Sequence, residues 1–258
     1  MINTTNIIYG KLTAKGQKCI YHRSRYGHRK SNGFTICQEG AHISFIHYQD
    51  TEDAEATKNE ITALGRKALH FDGDINDTEF GKQAVEKTVS EFGGIDILIN
   101  NAGAQFPTES IADLEEEKVR KTFNSNIIGM ILLTKAVFPY LKQGSSIINT
   151  TSAVAYLGHE ELVDYSATKG AIVSFTRSLA LKAKSKGIRV NAVAPGPVAT
   201  PLTEKTFGEE EEDYSKPPLK RNAFPEEIAS CFLFLATDAA AQMTGQVLHP
   251  NGGLIVNG

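Results

Sequence analysis

From Gly40 onward, short apolar runs alternate with stretches of helical pattern, and this alternation constrains the chain more than any other feature. It is the pattern of βαβ units, in which a helix returns the chain to the same end of a parallel sheet after each strand. Residues 41–47 (AHISFIH) read as a strand, and 51–64 as a helix rich in Glu, Ala and Lys, closed by Gly65. A second strand is expected over 67–71, then a helix capped by Asp77 and running to about Phe92. The run IDILI at 95–99 is apolar throughout, as a strand covered on both faces must be. A long helix over about 115–141, a strand at 146–150 and a helix from near Tyr165 to near Lys184 follow. The spacing then predicts a strand over 188–194, a helix from Pro225 to about Thr237, and a last strand over 246–248. One α/β domain over 40–258, a doubly wound parallel sheet flanked by helices, accommodates all of these. The four prolines and acidic run of 197–221 read as a mobile, solvated segment over a site.

Bulk properties exclude several classes of function. A net charge of −3 offers no general attraction for nucleic acid or anionic lipid. No apolar run approaches the length of a membrane span, and none resembles a signal peptide. Three cysteines, Cys19, Cys37 and Cys231, make no disulfide framework, so a cytoplasmic location is expected.

The sharpest chemical signal is Tyr165-Ser-Ala-Thr-Lys169. Positions four apart share a helix face, so phenol and ammonium point into the same space. A nearby cation favours the phenolate and is expected to lower the tyrosine pKa, which suits a general acid working near neutrality. Ser152 lies thirteen residues earlier, at the end of SIINTTS, where its hydroxyl can meet a substrate oxygen. Tyr and Lys alone at this spacing would mean no more than an amphipathic surface. With Ser152 added, the chain resembles the short-chain dehydrogenase/reductase family, and further motifs agree. Asn100-Asn101-Ala102-Gly103 is similar to the family's segment after its fourth strand, and Asn126 in NSNIIG to the family's active-site asparagine. Pro195-Gly196, with Val198 and Thr200, resembles the loop that meets the nicotinamide amide, and Asp74-Ile75 the pair beside the adenine. Taken singly, NNAG is compatible with a turn, Asn126 with a helix cap and Pro-Gly with a strand terminator. The resemblance implies a Rossmann-like fold, NAD or NADP as cofactor, and a small alcohol or carbonyl compound as substrate. It implies that Tyr165 moves the proton, Lys169 holds the nicotinamide ribose, Ser152 orients the substrate and Asn126 supports a proton relay. It also implies a homo-oligomer, commonly a tetramer, and points to the bacterial general-stress and sugar or polyol dehydrogenase branch.

The likeness breaks before Gly40. The family opens with a strand, then Thr-Gly-x-x-x-Gly-x-Gly, then a helix whose N-terminus receives the pyrophosphate. Here residues 19–38 read CIYHRSRYGHRKSNGFTICQ, with Arg23, Arg25, Arg29 and Lys30 crowded into eight positions. Residues 1–39 are therefore read as an atypical segment, with the first strand poorly formed and the glycine loop replaced. Back-translated and shifted by one nucleotide, the stretch can read approximately VYITGADTGIGKAMALLFAK before rejoining EGAHISF, so a compensated frameshift over about 19–38 accounts for it. Each charge-assisted hydrogen bond to phosphate lost in this way costs about 1.5–3 kcal/mol. Weak cofactor binding, lowered stability and little activity are expected, and a catalytically impaired remnant of the fold is the competing reading. A minor alternative takes Cys19, His22, His28 and Cys37 as a metal or nucleic-acid site, although their spacing matches no common zinc finger. The region His47-Tyr48-Gln49-Asp50, where an acidic residue would favour NAD and a basic one NADP, fits neither pattern.

Overall fold

The computed structural model describes residues 13–22, 31–199 and 217–256, with the backbone alone at 31–34. Seven parallel strands form one sheet: β1 (Lys18–His22), β2 (His42–His47), β3 (Ala68–Asp72), β4 (Ile97–Asn100), β5 (Ser146–Thr150), β6 (Arg189–Val193) and β7 (Val247–Leu248). Their order is β3-β2-β1-β4-β5-β6-β7, so the winding reverses between β1 and β4. Strand side chains alternate between faces, which divides the core in two. Cys19, Tyr21, Ile43, Phe45, Ile97, Ile99 and Ile148 pack on one side, under α1 (Ser31–Gln38), α2 (Thr51–Ala63) and α8 (Pro225–Ala236). Ile20, Ile46, Leu98, Ile147 and Val190 pack on the other. Their cover is α3 (Thr78–Phe92), α5 (Gly129–Val137) and α7 (Val163–Ala183), which follows the short helices α4 (Glu116–Phe123) and α6 (Val154–Leu157). Burial on both faces explains why these strands read as apolar runs rather than as alternating ones.

The expectation that the first strand is poorly formed is overturned. β1 pairs with β2 from Lys18↔His42 to His22↔Ile46, and with β4 from Cys19↔Ile97 to His22↔Asn100. Cys19 and Ile20 are fully buried, and α1 adds Ile36 and Cys37 to the core. The basic cluster hid this strand, because the charges begin at Arg23, just past its end, while the strand itself holds Cys-Ile-Tyr. Three apolar residues between two fully formed neighbours suffice, since strand preference is decided mostly by packing against neighbours. The replaced glycine loop and the basic cluster fall on 23–30, outside the described residues.

One other element differs from expectation. The long helix of 115–141 is interrupted: a π-turn over Asn124–Ile128 separates α4 from α5, and a 3₁₀ turn with Pro139 ends the run. Single π-turns insert one extra residue and redirect the side chains that follow. Elsewhere the local signals hold. Asp77 caps α3 by accepting from the backbone N–H groups of Glu79 (2.9 Å) and Phe80 (3.1 Å), and Gly93 ends it at φ 79°. Among the described residues no helix is long and apolar enough to cross a membrane. Residues 200–216, the bulk of the segment read as mobile, lie outside the described residues.

Candidate active site

The C-terminal ends of β4, β5 and β6, the π-turn and the first turns of α7 meet beside the reversal point of the sheet. In open α/β sheets this crevice is where ligands bind. Buried polar side chains lock the two central strands together. Asn100 Nδ2 donates to Asn149 Oδ1 (2.9 Å) across β4 and β5 and to Thr134 Oγ1 (3.0 Å) on α5. Asn149 Nδ2 donates onward to Thr176 Oγ1 (2.9 Å) on α7. This chain of bonds fixes α5, β4, β5 and α7 relative to one another, directly beneath the residues that leave the strands.

Above it, Asn101 bridges the strand ends. Its Nδ2 donates to Tyr21 Oη (3.1 Å), and its Oδ1 accepts from Thr150 Oγ1 (3.1 Å). The Thr150 carbonyl accepts from Lys169 Nζ at 2.9 Å, and Thr151 Oγ1 donates to the Lys169 carbonyl at 2.7 Å. Lys169 is buried, and burial lowers its ammonium to about 8. Its Nζ lies 5.2 Å from the centroid of the Tyr165 ring. Tyr165 in turn shares a side-chain hydrogen bond with Ser152, whose Oγ also caps the backbone N–H of Val154 at 3.4 Å.

Asn126 occupies the π-turn and is buried. It clasps Ala104, accepting from its N–H (2.7 Å) and donating to its carbonyl (2.9 Å), and donates to Thr168 Oγ1 (3.1 Å). Gly103 sits between these groups. A Cβ there would stand 3.4 Å from Lys169 Nζ and 3.5 Å from Asn126 Oδ1. The absence of a side chain therefore leaves the lysine a clear approach beside Ala102 and Gly103.

The expected downward shift of the tyrosine is corrected by the structure. Burial pushes the Tyr165 phenol up to about 12, and the Ser152 hydrogen bond opposes this only in part. The physical reason is that taking the phenolate out of water costs more than the Ser152 hydrogen bond returns.

The remaining residues singled out from sequence are less tightly grouped. The Asp74 carboxylate is engaged locally, accepting from the backbone N–H (2.9 Å) and Nδ2 (2.8 Å) of Asn76. Ile75 is buried in the core, where its Cδ1 would lie 2.6 Å from a Cβ on Gly129. Pro195 accepts from Ala153 N (2.8 Å) and Gly196 donates to Pro250 O (3.1 Å), which ties the end of β6 to the Ser152 turn and to the C-terminal loop. A Cβ on Gly196 would meet Asn251 Cα at 2.8 Å, so close packing demands glycine there. Val198 is buried and bridges to Ala223. Thr200 lies outside the described residues.

The metal reading finds no support in the strand geometry. Cys19 and His22 are three apart in β1, so they point to opposite faces of the sheet. His28 lies outside the described residues, and no cluster able to hold a metal occurs among those described. Sequence inspection missed the Asn100–Asn149 bridge with Thr134 and Thr176, and the roles of Thr150, Thr151 and Thr168. The signal was present as asparagines ending two apolar strands and threonines within helices, where neither residue is intrinsically favoured.

A doubly wound parallel sheet with Ser152, Tyr165, Lys169 and Asn126 gathered beside its reversal point defines the class, a Rossmann-like oxidoreductase. Residues 34–255 match the family model described as Enoyl-(Acyl carrier protein) reductase. General stress protein 39 of Bacillus subtilis (strain 168) is 46% identical over 244 residues, covering 94% of this chain and 85% of that protein. Glucose and ribitol dehydrogenase of Daucus carota is 45% identical over 240 residues, covering 88% and 82%. A short-chain dehydrogenase from Burkholderia cenocepacia J2315, solved in complex with NADP, superposes with a TM-score of 0.87 at 26% identity, covering 93% of this chain and 98% of that one. The chain belongs to the short-chain dehydrogenase/reductase family.

Proposed function

We propose that this protein transfers a hydride between NAD or NADP and an alcohol or carbonyl substrate, with Tyr165 as general acid and base. The observation that carries the reading is the convergence of the Ser152–Tyr165 hydrogen bond with the buried Lys169 ammonium at the end of β5. The described residues fit a nicotinamide riboside. Gly103 leaves room beside Lys169 Nζ, and the loop from Pro195 to Val198 is held at the same strand ends. Lys169 would hold the ribose hydroxyls, and the backbone of Asn101, Ala102 and Gly103 would border the ring and sugar. Pro195, Gly196, Val198 and Thr200 would meet the carboxamide, and Asp74 with Ile75 would border the adenine. When bound, the dinucleotide supplies the hydride carrier.

The protein's own part is proton transfer and positioning. In the reducing direction the Tyr165 phenol donates its proton to the carbonyl oxygen as hydride reaches the carbon. Ser152 donates a hydrogen bond to that same oxygen and steadies its developing charge. In the oxidising direction the phenolate takes the alcohol proton. The raised phenol keeps Tyr165 protonated at neutral pH, which suits reduction, and oxidation should gain as pH rises. Asn126, bonded to Ala104 and Thr168 from within the π-turn, would support a proton relay beside Lys169. The sugar and polyol branch is the substrate class to try first, supported by the likeness to the Daucus carota enzyme. Assembly as a homotetramer and a cytoplasmic location complete the proposal, and the domain read from sequence as 40–258 takes in β1 and α1 as well.

A second reading is favoured by residues 23–30 (RSRYGHRK), which hold one glycine where a phosphate-binding turn calls for several, and by a family match that begins only at residue 34. On this reading the chain keeps the fold but grips the pyrophosphate weakly. Fluorescence titration with NADH and NADPH separates the two. Micromolar binding followed by turnover of a polyol or aldehyde supports the enzyme. A folded chain that binds neither dinucleotide is the impaired remnant.

A further inference from the structure

The far edge of the sheet holds a histidine pair that the proposed chemistry does not use. In the β2–β3 register Phe45 lies opposite His70, and His47 opposite Asp72. All four share the sheet face roofed by α2. His47 Nε2 and His70 Nδ1 are 3.0 Å apart, and His70 Nε2 is 2.9 Å from Glu55 Oε1, reaching down from α2. The Phe45 ring stacks on His70 at 5.7 Å and 24°. His47 is buried, and its Nδ1 lies 3.8 Å from Asp72 Oδ1. Among the described residues, the charged and titratable groups around the pair are Glu55 and Lys58 from α2 and Asp72 from β3.

Donor and acceptor roles follow from the carboxylate. Ionised Glu55 can only accept, so His70 Nε2–H donates to it. In a neutral His70 the Nδ1 is then an acceptor, so His47 donates from Nε2. The next proton taken up by the pair therefore goes to His47 Nδ1, facing Asp72. That carboxylate is already committed: Oδ1 accepts from Gln49 N at 2.8 Å and Oδ2 from Thr51 Oγ1 at 2.9 Å. Gln49 holds a left-handed backbone at φ 53°, a conformation that few non-glycine residues adopt without support. His47 O meanwhile accepts from Gly73 N at 2.9 Å, immediately before Asp74 and Ile75. The turn 48–50 at the end of β2 and the segment 73–75 at the end of β3 are thus both fastened to this one cluster. In a doubly wound sheet these are the segments that border the adenosine of a dinucleotide.

We propose that His47, His70 and Asp72 are positioning residues for the adenosine end of the cofactor, and that a proton added at His47 Nδ1 draws Asp72 away from Gln49 N and weakens dinucleotide binding. The inference rests on the reading of this chain as an NAD(P)-binding protein. It names a device within that reading, a proton-operated latch on the turn after β2.

The test measures binding of NADH, NADPH and AMP between about pH 8 and about pH 5.5 to the wild type, His47→Gln and Asp72→Asn. Glutamine at 47 keeps an amide N–H for His70 and removes the titrating nitrogen. Asparagine at 72, on a half-exposed side chain, keeps an acceptor for Gln49 and removes the charge. Acidification is expected to weaken all three ligands about tenfold in the wild type and less than about twofold in either variant. AMP must share the effect, because it probes the adenosine end alone. Unchanged wild-type affinity across the range, or a wild-type slope retained in Asp72→Asn, overturns the inference. Should the folded chain bind none of the three at any pH, the cofactor reading fails by itself. The latch is then read from the Gln49 amide resonance, which is expected to move with pH in the wild type and to stay fixed in Asp72→Asn. A stationary Gln49 amide in the wild type rejects the latch whatever the cofactor does.

Discussion

At the scale of single residues, the site stands on a few hydrogen bonds whose removal has separable consequences. Tyr165→Phe deletes the proposed proton donor and leaves the ring in place, so turnover should fall at least about 1,000-fold while cofactor affinity stays within about twofold. Steady-state kinetics beside a binding titration checks both halves of that statement. Gly103→Ala puts a methyl group 3.4 Å from Lys169 Nζ, on the side where the ribose is expected. It should weaken NADH binding about tenfold or more and shift the melting temperature by only a few degrees, which titration and calorimetry would read. Tyr165, Lys169 and Ser152 were all legible in the sequence, because helix period and strand end fix their directions. The state of the phenol was not. A spacing of four says that a cation is near, but the balance between its pull and the cost of burial depends on how much surrounding chain excludes water.

At the scale of elements, the buried run from Thr134 through Asn100 and Asn149 to Thr176 joins two strands to two helices. Asn100→Ala removes the donor to both Thr134 Oγ1 and Asn149 Oδ1 and strands the latter acceptor in the core. A loss of about 2–3 kcal/mol in unfolding free energy is expected, seen as a lower urea midpoint at unchanged slope. Turnover should fall as well, since β4 and β5 carry Gly103 and Ser152. Strand and helix positions were legible to within two or three residues wherever apolar periodicity was strong, as in β5 and α3. The π-turn at Asn124–Ile128 was not, because a one-residue insertion leaves the apolar pattern on either side intact. β1 was misjudged because three apolar residues beside a run of arginines give no periodic signal.

At the scale of the whole molecule, stability should depend on pH through His22. Burial lowers its imidazole to about 4, with Asp74 acting weakly in the opposite sense, so the folded protein keeps it neutral at pH 7. An unfolded chain takes up the proton near pH 6.5, so between about 6.5 and about 4 the unfolded state binds more protons and stability falls as pH falls. The cost approaches about 3 kcal/mol at the lower end. Urea unfolding from about pH 7 to about pH 4 should show that loss, and His22→Asn should remove most of it. The sequence by itself determined the parallel α/β architecture and the positions of the residues proposed as the catalytic set, because apolar period and residue spacing are local properties. Only the tertiary structure decided that β1 forms, that the two sheet-end asparagines brace the site, and that His47 meets His70. Those outcomes depend on which residues distant in the chain become neighbours, and on the burial that sets their charge.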